Sequence, residues 1–308
     1  MTTLSGHFGP GPVTIRDDLL VRAGTTLEVT GPGAYYEYYP TTGEIDFDWA
    51  GDYTPSIILE LLNANIVIEG TVNFVGEDYP SINGFYFKGA GEHRFVNRGT
   101  ISSTDPNAGA VIDFADRSTG FLRNEGTITG FVLMGNNADL VANQRTIEGS
   151  LYTLGGDDRV FARGAITETH LGRGDDFYSG TRGREGTKVF GDEGDDWIKG
   201  TRYDDHLSGG DGNDKLYANN GDDTLSGDGG NDVLIGWNGA EEFRIGDGRD
   251  AIVNFQPEYG DRIAIEGVAF EDLSFVQAGL HTSILLDGEV IAILAEYLKP
   301  LSDDMFVS

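Results

Sequence analysis

From Asp196 to Asp250 an acidic residue recurs every nine residues: Asp196, Asp205, Asp214, Asp223, Asp232, Glu241 and Asp250. Carboxylates in a fixed register are hard oxygen donors, suited to a divalent cation that takes about six to eight such ligands. Residues 190–235 hold 12 acids against only Lys199, Arg202 and Lys215, so a metal is the natural counter-ion of this segment. Two residues after each acid stands an apolar side chain: Ile198, Leu207, Leu216, Leu225, Leu234, Phe243 and Ile252. A polar turn therefore alternates with a short strand.

With the acid as sixth residue, the nonapeptides are 191–199 (GDEGDDWIK), 200–208 (GTRYDDHLS), 209–217 (GGDGNDKLY), 218–226 (ANNGDDTLS) and 227–235 (GDGGNDVLI). They resemble the hemolysin-type, or RTX, repeat G-G-x-G-x-D-x-U-x, over roughly a third of the chain. Tyr203 stands where the fourth-position glycine is usual, and Glu241 where aspartate is usual. The resemblance implies a calcium-binding parallel β-roll. Its glycines supply turn conformations with positive φ, and its apolar eighth residue fills a thin core.

Two nonapeptides make one coil, so acids eighteen residues apart fall on the same side of successive coils. Strand spacing sets those coils ~4.8 Å apart, where two like charges repel by ~3 kcal/mol at an effective dielectric of ~20. Calcium would turn that repulsion into coordination by adding turn carbonyls to the two carboxylates. One column of ligands is expected through Asp158, Asp176, Asp196, Asp214, Asp232 and Asp250, with a two-residue insertion between Asp176 and Asp196. A second runs through Asp205 and Asp223 towards Glu241.

Forty-six glycines and nine prolines in 308 residues suit a coil of many turns. The net charge of −30 argues against nucleic acid and anionic membranes as partners. Without cysteine, neither disulfides nor a thiolate metal site is available. The N-terminal MTTLSGHFGPGPVTIRDDLL lacks a basic start followed by an apolar run, and no stretch approaches eighteen apolar residues. Neither a signal peptide nor a membrane insertion is expected. Residues 243–265, the strands expected at 282–286 and 290–294, and the terminal Asp303, Asp304, Met305, Phe306 and Val307 resemble the C-terminal region of RTX proteins exported by type I secretion machinery. That resemblance implies an uncleaved export signal and an extracellular or cell-surface location. The same segment would also cap the roll.

A looser repeat precedes the nonapeptides. Its turn positions Gly70, Gly99, Gly126, Arg145 and Gly164 are 29, 27, 19 and 19 residues apart, the length of a coil in a right-handed parallel β-helix. A second strand keeps step at 110–114, 131–134, 151–154 and 169–171. Asn97, Asn124 and Asn143 occupy matching turns and read as a structural ladder of stacked amides. The acids Asp139, Asp158 and Asp176, 19 and 18 residues apart, suggest that the helix tightens into the roll without a linker. The expected organisation is all-β: a β-helix with an N-terminal cap and aromatic insertion over 1–150, a calcium roll over 151–252, and a cap with the secretion region over 253–308.

Parallel β-helices also host polysaccharide lyases and epimerases, so catalysis needs testing against the residues. The insertion Tyr35, Tyr36, Glu37, Tyr38 and Tyr39 with Asp46, Asp48 and Trp49 would place aromatics beside an acid/base pair. Lys88 and Arg94 would offer a lyase base and a carboxylate-neutralising group. No Asp-Pro-His-Glu cluster, Gly-x-Ser-x-Gly elbow or HExxH zinc motif is present. The expected function is that of a secreted calcium-binding solenoid that folds on extracellular calcium, as a surface, matrix or adhesion component with acidic polysaccharide or a cell surface as partner. A polysaccharide lyase or C5-epimerase carrying an RTX module is the alternative.

Overall fold

The computed structural model describes, with side chains, residues 19–21, 65–74, 84–87, 91–103, 110–114 and 118–307. It describes residues 2–3, 6–8, 13–15, 26–30, 35–38, 45–48, 57–59 and 75 by backbone alone. Apart from three short 3-10 turns, every regular element among the described residues is a strand, as the all-β expectation requires. The chain divides into two units, Met1–Val160 with Gly164–Glu168, and Phe161–Arg163 with Thr169–Ser308.

In the first unit the coils form three stacks of strands paired in parallel with their equivalents one coil on, the single strand Thr146–Tyr152 serving two of the stacks. The first stack aligns Ile66, Phe95, Leu122 and Val141. The second aligns Val72, Ile101, Ile128 and Ile147. The third aligns Phe85, Ile112, Val132 and Leu151. All twelve are fully buried. The first two stacks reproduce the 29-, 27- and 19-residue offsets of the sequence, and the third, with a register shift between Ala110 and Ile112, runs at 27, 20 and 19. The turn between first and second strands is too tight for a side chain: a Cβ on Gly99 would run into the carbonyl of Gly70, and one on Gly126 into that of Gly99. Phe74, Phe85, Phe87, Phe95 and Phe114 fill the wide coils, with ring centroids 4.4 to 6.1 Å apart in edge-on and stacked pairs.

The asparagines form the expected ladder. Asn97 donates Nδ2 to Asn124 Oδ1 at 2.9 Å, and Asn124 donates to Asn143 Oδ1 at 2.8 Å. Each amide also donates to a backbone carbonyl of the next turn, at Thr127, Thr146 and Ala165. The aromatic insertion is an antiparallel hairpin of strands Tyr35–Tyr38 and Ile45–Asp48, with Glu37 opposite Asp46.

In the second unit the coil shortens to two strands, most of them with a single inward apolar side chain. One stack buries Tyr178, Ile198, Leu216, Leu234, Ile252 and Leu294 in register. The other buries Val189, Leu207, Leu225, Phe243 and Ile263. Every eighth-position apolar residue read from the sequence is in this core. The C-terminal strands His281–Leu286 and Glu289–Ala295 lie close to the expected ranges. A strand that the sequence reading did not separate, Leu273–Ala278, completes an antiparallel meander with them. Phe255 and Tyr297, 5.4 Å apart, close the core beneath it.

Candidate metal centre

The sixth-position aspartates of the roll are held by the coil before them. The backbone N–H of Asp176 donates to Asp196 Oδ1, that of Asp196 to Asp214 Oδ1, and that of Asp214 to Asp232 Oδ1, all at 2.8 Å. Asp232 N–H donates to Asp250 Oδ1 at 3.1 Å, and Asp205 N–H to Asp223 Oδ1 at 2.8 Å. The eighteen-residue columns of the sequence thus exist as hydrogen-bonded ladders, with Asp196, Asp214, Asp223 and Asp232 each pinned through Oδ1.

The second oxygen is the chemically informative one. Oδ2 of Asp196, Asp214, Asp223 and Asp232, and Oε1 of Glu241, are buried and accept no hydrogen bond. A buried, unsatisfied carboxylate oxygen is costly. Glycine makes room beside it: a Cβ on Gly191, Gly209 or Gly227 would lie against Oδ2 of Asp196, Asp214 or Asp232. The fourth-position glycines Gly194, Gly212 and Gly230 have φ of 135°, 145° and 134°, conformations open to glycine alone at little strain.

Burial is the main reason these carboxyls resist ionisation. It pushes Asp196 up to about 8, opposed by the Asp176 N–H bond and reinforced by the charges of Asp176 and Asp214. Asp214 and Asp223 rise to about 7 for the same leading reason. Asp250 rises to about 7, and Asp232 is raised as well. Glu241 rises to about 8 through burial and then through Asp261 beside it.

An oxygen-only donor set with buried free lone pairs fits calcium. Among the described residues no three His, Asp or Glu side chains converge. Two carboxylates per level would therefore be completed by turn carbonyls. Calcium bound between Asp196 and Asp214, between Asp214 and Asp232, or between Asp223 and Glu241 would supply the positive charge that these oxygens lack.

The remaining expected ligands sit differently. Asp158 lies in the first unit, where its Oδ1 accepts the Asp139 N–H at 2.6 Å and burial lifts its carboxyl to about 8. Asp176 is buried at the head of the ladder. Asp250 Oδ2 accepts a long bond of 3.4 Å from Gly246 N–H. Asp205 has both oxygens engaged: Oδ1 by Thr187 N–H and the Thr201 hydroxyl, Oδ2 by Thr201 N–H at 2.5 Å. That turn is the one with Tyr203 in place of glycine, and the Thr201 hydroxyl also accepts the Tyr203 N–H.

Two groups escaped the sequence reading. Asp261 is fully buried and accepts the N–H groups of Glu241 and Gln256. Its signal is the twenty-residue step from Glu241, matching that from Asp176 to Asp196. The fifth repeat position forms an outer ladder running the opposite way. Asp195 Oδ1 accepts the Asn213 N–H at 2.7 Å, and Asn213 Oδ1 accepts that of Asn231 at 3.2 Å. The Asn213 bonds hold Asp195 below the usual carboxylate range.

The catalytic candidates are not gathered by any described element. Asp46 and Asp48 lie on the strand Ile45–Asp48, and Arg94 on the strand Gly91–Asn97 of a different sheet. Lys88 lies outside the described residues, as do the side chains of Asp46 and Asp48. Arg94 holds its guanidinium 5.2 Å from the centre of the Phe121 ring. No helix among the described residues is long and apolar enough to cross a membrane.

The family model described as RTX calcium-binding nonapeptide repeat (4 copies) matches residues 190–225 and again 217–252. No curated protein matches the chain. The matched span contains Asp196, Asp214, Asp223, Asp232 and Glu241, each with a buried oxygen that accepts no hydrogen bond, and Gly191, Gly209 and Gly227 beside three of them, so residues 190–252 are RTX calcium-binding nonapeptide repeats.

Proposed function

We propose that the chain is a secreted protein whose roll folds on binding extracellular calcium, serving as a surface, matrix or adhesion component. One observation carries this reading: carboxylate oxygens buried without hydrogen bonds at successive coils of the roll. At neutral pH such a stack must either carry negative charge out of water with nothing to offset it or take up protons. Calcium binds the folded roll in preference to the unfolded chain and draws folding forward by linkage.

Asp196, Asp214, Asp223 and Asp232 are the leading ligands, with Asp158, Asp176, Asp205 and Asp250 as further members of the columns. Where free calcium is scarce, the acidic coils stay unfolded and can be threaded through a type I channel. Residues 253–308 would carry the signal for that machinery. Circular dichroism of the full chain tests the reading. The β signal should fall in chelator and return at millimolar calcium, and a full signal unchanged by calcium would refute it.

A second reading, a polysaccharide lyase or epimerase, is favoured by a groove of the first unit lined by Asn65, Glu92, Arg94, Thr119 and Phe121. Unsaturated products absorbing in the near ultraviolet, released from acidic polysaccharides, would support it. Silence across such substrates, with the groove residues substituted without effect on binding, would dismiss it.

A further inference from the structure

The outward face of the strands Phe177–Ser179, Trp197–Lys199 and Lys215–Tyr217 carries an aromatic ladder with two cations set into it. In each strand the middle residue is buried and its neighbours point outward, as the pleat requires. The Phe177 and Trp197 rings are 5.6 Å apart, and those of Trp197 and Tyr217 6.0 Å. Lys199 Nζ lies 4.4 Å from the centre of Trp197 and 5.0 Å from that of Tyr217. Lys215 Nζ lies 5.9 Å from Trp197.

This arrangement does nothing for the core, and Trp197 remains 42% exposed. A cation–π pair in water contributes only ~0.5–1 kcal/mol, so fold stability does not explain a large apolar ring on an outer face. The charge pattern is equally distinctive. In a chain of net charge −30, none of the outward positions of these three strands is acidic. Among the described residues neither ammonium has a carboxylate partner. Each is steadied by rings and keeps N–H donors for a ligand.

We propose that this face binds a linear acidic polysaccharide, with its uronate carboxylates on Lys199 and Lys215 and the apolar faces of its sugar rings on Trp197 and Tyr217. The proposal rests on the reading of the chain as a surface or matrix component and names the partner. A neutral glycan would use the rings and leave the amines unpaired. A plain polyanion would use the amines and leave the rings wet. Only an acidic glycan satisfies both, and the ladder repeats at the ~4.8 Å strand spacing, comparable with the advance of one sugar unit along a linear chain.

The test uses the full chain at saturating calcium, shown by circular dichroism to be folded, titrated calorimetrically with a uronate oligosaccharide too short to gel with calcium. Its carboxyl-reduced counterpart and a polyglutamate of equal charge are the comparison probes. The uronate should bind in a salt-dependent manner, with both comparison probes about tenfold or more weaker, and Trp197→Ala should lose about tenfold or more. The Lys199→Gln, Lys215→Gln double variant should bind the uronate no better than its neutral counterpart, and it decides the question if Trp197→Ala fails to fold. Trp237→Ala, at an exposed tryptophan outside these three strands, should bind as the wild type does. No heat with the uronate, undiminished binding by the lysine variant, or equal binding of polyglutamate would overturn the proposal. Failure of glycan binding in protein that folds on calcium sinks this proposal alone, whereas full folding without calcium sinks the calcium reading.

Discussion

Asp214→Asn separates the two roles of a roll carboxylate, because the amide can keep the acceptor for Asp196 N–H at 2.8 Å while losing the charge and the free Oδ2. The two consequences have opposite signs. Without calcium at pH 7.5 the wild-type side chain must either ionise in the interior or take up a proton. Its carboxyl rises from 3.8 to about 7 on folding, and three units correspond to ~4 kcal/mol before screening. Solvent just beyond the turn reduces this to ~1–2 kcal/mol, so the variant should be more stable than wild type in chelator by that amount.

With calcium the order reverses. Asp214 lies between Asp196 and Asp232 in its column, so its loss weakens two levels. An ion present at a hundred times its dissociation constant stabilises by ~2.7 kcal/mol, and losing most of two such terms costs ~3–5 kcal/mol. Urea denaturation followed by circular dichroism, at pH 7.5 in chelator and in millimolar calcium, measures both. A variant destabilised equally in both conditions, or an unchanged calcium midpoint of folding, would refute the assignment of Asp214 as a ligand.

The same carboxyls predict how metal-free protein responds to acid. Because their pKa values rise on folding, their contribution is fully present below about 3.8 and lost as pH climbs through folded values of about 6 for Asp205, 7 for Asp214 and 8 for Asp196. In chelator the roll should therefore melt at higher temperature at pH 5 than at pH 8, and a melting point rising with pH would contradict this. Asp205→Asn should behave unlike Asp214→Asn: its oxygens hold Thr187 and Thr201, so stability should fall by ~1–3 kcal/mol both with and without calcium, as read by the same urea titrations. Asn124→Ala strips the partners of Asn97 Nδ2 and Gly126 N–H in the buried ladder. It should cost ~2–4 kcal/mol irrespective of calcium, and a calcium-dependent loss would misplace the ladder's role.

What the sequence revealed and what it hid differ by kind of interaction. Residues whose role repeats at the coil period were legible: the acids, the eighth-position Leu and Ile, and the asparagines, because translation by one coil stacks like on like. Asp205 shows where that logic stops. Tyr203 marked its turn as irregular, yet the loss of a free Oδ2 at Asp205 comes from the Thr201 N–H that bonds it, a contact set by where that turn falls in space. Asp261 was hidden because the turn Pro257–Tyr259 adds residues and shifts it out of the eighteen-residue count. The strand Leu273–Ala278 was hidden because its partners are antiparallel and lie outside the repeat altogether.

The two units also differ in what can hold them together. Between Phe95 and Phe114 the first unit buries at least Phe95, Val96, Ile101, Val111, Ile112 and Phe114. Between Ile198 and Asp214 the roll buries only Ile198 and Leu207 as apolar core, alongside Thr201, Asp205 and Asp214. Ordering each residue costs ~1–2 kcal/mol in backbone entropy, while a fully buried Leu or Ile returns only ~1.5–3 kcal/mol. A coil with two such side chains leans on ions far more than one with six. In chelator, then, the full chain should lose only part of its β signal, and proteolysis should cut first within residues 190–252 while the region around Phe95 stays protected. Cleavage that began instead in the phenylalanine-rich coils would show that calcium supports the roll less than its own core does.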